Sequence, residues 1–316
     1  MKRSRRRFLQ YAGALTAATV AAGGWWLGTS SRRPARWVRR IVADARRKVA
    51  PAPVTPDPAK WSDNQVTICW IGHSTVLINF YGIKILTDPV FGNCVGVSLG
   101  IGTAGPKRYI APALQIKNLP PIDVVLLSHA HMDHMDLPSL GRLDARLTIT
   151  AGNTADILGS SENVAELSWG EHTLYRAKAG ELLVEAFEVK HWGQRWPSEK
   201  ERGYNGYVLR REGKAILFGG DTAQTKLFAE LRSKGPFEAA IMPIGAYQPW
   251  IRSHCTPEQA VEMANATGAK YIIPVHHQTF KLSYEPMNEP IERLEQALAK
   301  EPERIALRKV GESFTC

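Results

Sequence analysis

Through the first half of the chain, apolar side chains come in short runs of four to eight residues separated by turn formers, at 66–71, 76–80, 83–87, 122–128, 147–150 and 182–189. Runs of that length, rich in Val, Ile and Leu, predict buried strands. Further along, strand-like runs at 215–218, 239–243 and 271–275 alternate with amphipathic segments at 222–234, after Thr256 and at 289–300. Thr256 opens its helix with Pro257 at the first position, and Gln259 is placed to complete a capping box. The pattern predicts an α/β sandwich in which helices cover β-sheets. Reactive residues are then expected where loops leave the strands.

Charge divides the chain unevenly. Its 316 residues and 44% hydrophobic content suffice for one large core in one or two domains. Residues 1–50 carry a formal +12, so the rest sum to −2 against a total of +10. A nearly neutral body offers no basic groove for a polyanion, and no nucleic-acid partner is expected. Ser4-Arg5-Arg6-Arg7-Phe8-Leu9 matches the twin-arginine export pattern, and a mildly apolar stretch follows to Ala22. Residues 1–28 therefore predict an export signal, either cleaved after Ala22 or retained as an anchor, and a periplasmic or otherwise exported protein that engages the twin-arginine machinery. In 29–60, Trp37, Val38, Ile41, Val42, Ala45 and Val49 recur at helical spacing among arginines, ahead of a proline-rich linker at 51–58. This basic amphipathic helix suits either an anionic membrane surface or packing with a solvated basic face. Residues 61–316 form the expected catalytic domain. Cys69, Cys94, Cys255 and Cys316 show no C-x-x-C spacing, which excludes a structural zinc module of that kind.

Directly after the predicted strand at 122–128 comes His129-Ala130-His131-Met132-Asp133-His134, four metal-binding side chains in six positions. Neither a strand nor a helix directs all four to one place, whereas a tight loop at a strand end does. Imidazole with carboxylate suits zinc, and also iron or manganese, and such a centre generates hydroxide near neutral pH. His191, Asp221 and His276 lie at the ends of further predicted strands. Seven candidate ligands suffice for two metals, and a carboxylate such as Asp221 bridges ions about 3.5 to 4 Å apart in two-metal hydrolytic sites. No G-x-S-x-G elbow is present, so a serine nucleophile is not expected.

The stretches Trp70-Ile71-Gly72-His73-Ser74-Thr75, Leu86-Thr87-Asp88-Pro89-Val90-Phe91, Gly105-Pro106-Lys107-Arg108, Lys190-His191-Trp192, Gly220-Asp221-Thr222 and Pro243-Ile244-Gly245-Ala246-Tyr247 accompany the histidine loop. Together they resemble the metallo-β-lactamase superfamily over nearly all of residues 65–315. Within it, the chain is most similar to the N-acyl-phosphatidylethanolamine-hydrolysing phospholipase D group and its bacterial relatives. The resemblance implies an αββα fold, two facing mixed sheets with helices on their outer faces. It also implies two Zn2+ ions, one on His129, His131 and His191, the other on Asp133, His134 and His276, with Asp221 bridging. His254 matches a family histidine near the site. His73 and Asp88 match family motifs outside the ligand set and read as groups that support the ligands. His277 departs from the family, which tends to carry Trp there.

The implied chemistry is hydrolysis by a metal-bridging hydroxide, with Asp133 or Asp221 orienting the nucleophile and His254 assisting the leaving group. Tyr247, Gln248 and His254 are candidates for substrate contact, with packing as the alternative for Tyr247 and Gln248. Trp192 and Trp196 read as an apolar wall or as packing. A phosphodiester of a small-molecule or lipid substrate, such as N-acyl-phosphatidylethanolamine, is the leading expectation. Lactone or amide hydrolysis on the same metal site is the enzyme alternative. A metal-binding protein without turnover and an iron redox protein are the other classes the ligands admit.

Overall fold

The computed structural model describes residues 47–98, 103–159, 163–196 and 198–316. Val66–Gly72 (β1), Thr75–Phe80 (β2) and Ile83–Thr87 (β3) form an antiparallel meander. Val97–Ser98 (β4) and Thr103–Ala104 (β5) pair only with each other. Ile122–Leu126 (β6), Ala145–Ala151 (β7) and Val164–Leu167 (β8) add to β3 in parallel. A second sheet holds His172–Ala177 (β9), Gly180–Glu188 (β10), Asn205–Arg211 (β11), Lys214–Phe218 (β12), Phe237–Pro243 (β13) and Tyr271–Val275 (β14). Ser313–Thr315 (β15) returns to the first sheet beside β1. The orders are β15-β1-β2-β3-β6-β7-β8 and β14-β13-β12-β11-β10-β9. Each sheet is mixed, antiparallel in one part and parallel in the other, as expected.

Alternation of side chains along the second sheet explains its two buried faces. Ile216, Phe218, Ala239 and Ile241 join Ile68, Ile78 and Leu126 of the first sheet in the central core. Their neighbours Ala215, Leu217, Ala240 and Met242 face a second core with Phe228, Ala260, Met263, Ala264, Ile291 and Leu294. Those partners come from the helices Leu227–Glu230, Pro257–Thr267 and Glu289–Ala297. The Thr256 capping box forms as read, with Gln259 N–H donating to Thr256 Oγ1 and Gln259 Oε1 accepting from Thr256 N. Among the described residues, the α-helix beside the first sheet is confined to Leu137–Leu140. No described helix is long and apolar enough to cross a membrane.

Two expectations need correction. The helix over 222–234 shrinks to Leu227–Glu230 followed by a 3₁₀ turn, Leu231–Lys234. Its first residues are committed elsewhere: Ala223 N–H donates to Lys190 O at 2.8 Å, and Thr222 Oγ1 accepts from Lys190 N at 3.1 Å. Those bonds fasten the two residues after Asp221 to the residue before His191. The strand at 122–128 ends at Leu126, because the Ser128 amide turns to Asp88. One compact unit runs Val49–Cys316. Ala50 N–H donates to Tyr109 O, Ala111 N–H to Ala50 O and Val54 N–H to Val310 O, so the proline-rich stretch is held to the body rather than free. Strands β8, β9, β11 and β15 escaped the sequence reading because their residues are mixed polar and apolar. The export signal and most of the basic helix lie outside the described residues.

Candidate metal centre

In both sheets the strands that precede candidate residues run in one sense. His73 follows β1, Asp88 follows β3, the histidine loop follows β6, His191 follows β10, Asp221 follows β12 and His276 follows β14. All therefore collect at one rim of the sandwich, outside the carboxyl ends of the strands. Ser128 O accepts from Asn205 N at 2.8 Å, so the loop after β6 bridges the two sheets. Inside the loop, His134 N and Met135 N both donate to His131 O, at 3.1 and 2.8 Å. The Arg195 guanidinium clamps the outside, donating to Ala130 O and Met135 O at 2.9 Å each. The expected tight loop is present, and no regular element covers 129–134.

Two glycines permit the close approach. Gly220 has φ +56, and a Cβ there would lie 2.7 Å from Asn205 O and 2.9 Å from Ser128 Cβ. A Cβ on Gly245 would lie 2.2 Å from His276 O. Larger residues would push Asp221 or His276 off the rim.

Two ligand clusters result. In the first, His131 Nδ1 is 2.8 Å from His129 Nε2 and 3.3 Å from His191 Nε2. In the second, Asp133 Oδ2 lies 3.0 Å from His73 Nε2, 3.3 Å from His276 Nε2 and 3.5 Å from His134 Nε2. Asp221 Oδ2 faces both, at 3.1 Å from His134 Nε2, 3.2 Å from His276 Nε2, 3.9 Å from His191 Nε2 and 3.8 Å from His254 Nδ1. Two atoms about 2.1 Å from one zinc at the tetrahedral angle are about 3.4 Å apart, and these spacings scatter around that value.

The hydrogen bonds behind the rings select the tautomer a metal requires. Asp88 accepts from Ser128 N at 2.7 Å, Ser128 Oγ at 2.6 Å and His134 Nδ1 at 2.6 Å. With its hydrogen on Asp88, the Ser128 hydroxyl accepts from His129 Nδ1 at 2.9 Å. His191 Nδ1 donates to Ser253 O at 2.8 Å. In His129, His134 and His191 the Nδ1 is thus the donor and Nε2 faces the cluster, free to ligate once His134 gives up its second proton, whereas His131 faces the cluster through Nδ1. His134 Nε2 and Asp221 Oδ1 are buried without an aligned hydrogen-bond partner, as is His254 Nδ1. Buried ligand atoms left without partners in a pocket of imidazoles and carboxylates fit divalent metal ions.

Protonation differs within the site. Burial, then neighbouring histidines, hold His129 well below the usual imidazole range. Burial likewise takes His131 to about 4 and holds His191 low. His134 and His276 are buried too, but Asp221 and Asp133 overcome that, with Asp88 at His134, raising His134 well above its usual value and His276 to about 9. Burial opposes ionisation of Asp133 and Asp221, yet His134 and His276 hold both far below the usual carboxylate range.

All seven sequence-predicted ligands gather here, and His254 joins them beside His191 and Asp221. His73 also joins, in a group with Asp133, His134 and His276. Tyr247 does not: its hydroxyl donates to Glu289 at 2.7 Å, with Arg293 over its ring. Gln248 is exposed, and its amide donates to Glu285. His277 stacks on Trp70 at 4.5 Å and stays out of the clusters. Trp192 packs edge-on against His131 at 4.5 Å, and Trp196 is exposed. Sequence reasoning missed Ser128, Arg195 and Thr222. Ser128 was detectable as the residue before the histidine loop, whereas Arg195 and Thr222 act through contacts with no local signature.

Facing mixed sheets with a histidine and aspartate crevice at the strand ends define a metal-dependent hydrolase. Residues 84–277 match the model of the β-lactamase superfamily domain, and the chain belongs to that superfamily. It is 32% identical over 276 residues to an uncharacterized protein of Mycobacterium tuberculosis, covering 83% of this chain and 72% of that one. It is 30% identical over 255 residues to N-acyl-phosphatidylethanolamine-hydrolyzing phospholipase D 1 of Caenorhabditis elegans, covering 75% and 71% of the two chains. Among solved structures it is similar to Igni18, a metallo hydrolase from Ignicoccus hospitalis, with TM-score 0.59, 19% identity and coverage of 80% and 98%.

Proposed function

We propose that this protein is a binuclear zinc phosphodiesterase acting on a phospholipid, N-acyl-phosphatidylethanolamine or a related diester. The observation that carries the two-metal reading is Asp221 Oδ2, which faces His191 of one cluster and His134 and His276 of the other. In this reading His129, His131 and His191 hold one ion, Asp133, His134 and His276 the other, and Asp221 lies between them. The bound ions would lower the pKa of a water toward neutrality and polarise the attacked phosphoryl group. Asp133 or Asp221 would orient the nucleophile. His254, which burial takes down to about 4, is neutral at pH 7 and presents a hydrogen bond to a substrate or leaving oxygen.

The phosphodiester choice draws support from the Caenorhabditis relative, whose name states hydrolysis of N-acyl-phosphatidylethanolamine. The rim offers support for a lipid substrate. His254 N donates to Trp250 O, Trp250 Nε1 reaches Leu282 O, and Tyr284 N donates to Gln248 O. Trp250 and Tyr284 on this segment are 50% and 68% exposed, and Ile251 is exposed between Trp250 and His254. Exposed aromatic and aliphatic groups beside a polar site suit an amphiphile whose head enters while its chains remain outside. We further propose export by the twin-arginine route and contact of the basic segment with an anionic membrane surface, on the strength of the N-terminal charge.

The test is a panel of phosphodiesters, N-acyl phospholipids, lactones and β-lactams, run on purified protein of measured metal content. Metal-dependent cleavage of the phospholipid in preference to the lactone supports the reading. Turnover confined to lactones or amides overturns the substrate class, and turnover at one metal per chain overturns the binuclear site.

A further inference from the structure

His73 occupies the turn between β1 and β2 with φ 56, a conformation that a residue bearing a Cβ adopts only when its surroundings impose it. The surroundings here are explicit. Its N–H donates to Thr279 Oγ1 at 2.8 Å. Its carbonyl accepts from Trp70 Nε1 at 2.8 Å and from the His276 amide at 3.1 Å. The ring is buried against His276 at 4.3 Å, with the Phe280 ring edge-on at 5.1 Å. Its Nε2 meets Asp133 Oδ2 at 3.0 Å, while Nδ1 has no hydrogen-bond partner. A neutral imidazole has one N–H, and the acceptor fixes it on Nε2. That nitrogen then has no lone pair for a metal.

We propose that His73 is a positioning residue for the second metal, its ring fixing the Asp133 carboxylate while its carbonyl fixes the His276 backbone, so that one strained residue sets the spacing of two ligands. The inference rests on the metal centre described above. The held conformation stores the alignment before an ion arrives, which is the usual contribution of groups bonded to ligands.

The experiment uses the full-length protein stripped of metal and titrated with Co2+ against a chelator. His73→Asn tolerates the left-handed backbone but is too short to reach Asp133. His73→Gln places an amide N–H near the position of Nε2. Thr279→Val leaves the ring intact and removes the backbone anchor. The expected result for His73→Asn is one Co2+ equivalent weakened by about 10- to 100-fold with the other unchanged. His73→Gln recovers most of that loss with the wild-type cobalt absorption spectrum, and Thr279→Val shows a smaller loss of the same equivalent. Unchanged affinity for both equivalents in His73→Asn and Thr279→Val overturns the proposal. A His73→Gln spectrum altered as in His73→Asn also overturns it, since His73 would then be a ligand. Failure of the wild type to take two equivalents overturns the binuclear reading itself, a result separable from either.

Discussion

His129 and His134 are fully buried imidazoles in one loop, their ring centroids 4.3 Å apart, yet one is held neutral and the other charged in the metal-free chain. Depth does not separate them. What differs is where the carboxylates stand. His134 Nδ1 meets Asp88 directly at 2.6 Å, and its Nε2 faces Asp221 at 3.1 Å. His129 reaches Asp88 only through the Ser128 hydroxyl. The three-histidine half presents neutral donors, whereas the aspartate half stores protons that a divalent ion must displace. One loop thus builds two unlike sites by changing the groups behind its rings.

The largest way to break this comparison is Asp221→Ala. It removes the carboxylate that faces both halves, and activity should fall on the order of 10³-fold, corresponding to about 4 kcal/mol. Full turnover with two metals retained would show that Asp221 does not join the halves. Next, His191→Ala and His276→Ala should each lose one metal equivalent and leave the other, by elemental analysis after dialysis. Simultaneous loss of both ions from either variant would mean that the halves are not separable. Proton counting sharpens the contrast: calorimetry of metal loading near pH 8, repeated in buffers of different ionisation enthalpy, should show proton release that His276→Ala reduces and His191→Ala leaves largely intact. Smaller again is Asp88→Asn, expected to weaken metal affinity about 10- to 100-fold in both halves, while Ser128→Ala, which removes the direct partner of His129, should weaken the three-histidine half more than the other.

These contrasts were only partly legible in the sequence. His129 to His134 announce ligands because their spacing admits no regular element. His191, Asp221 and His276 follow from strand ends, since a strand that stops on His or Asp places it on the rim. Asp88 was recognised by its motif, but its bonds to Ser128 and His134 cross from β3 to β6, and a periodic pattern carries no record of such partners. The shortened helix after Asp221 has the same cause, because long-range bonds between residues 222 and 223 and Lys190 override an amphipathic period. Tyr247 shows the converse: of the two readings open to it, substrate contact and packing, the contacts of its hydroxyl with Glu289 and of its ring with Arg293 correspond to packing.

The smallest expected effect is the pH dependence of the metal-free protein. His276 rises from its ordinary value to about 9, so its contribution is fully present below pH about 6.5 and is lost as pH climbs through about 9. His129, His131 and His191 are depressed, so the unfolded chain gains protons there that the folded chain refuses, and stability falls below pH about 6.5. Thermal unfolding of the metal-free full chain should therefore peak near neutrality and drop by a few degrees on the alkaline side. With metal bound, the ions take the place of the stored protons and the alkaline drop should vanish. A metal-free midpoint that stays level or rises between pH 7 and 9.5 would contradict the charged state assigned to the aspartate half, whereas a drop that His276→Ala abolishes would locate it there.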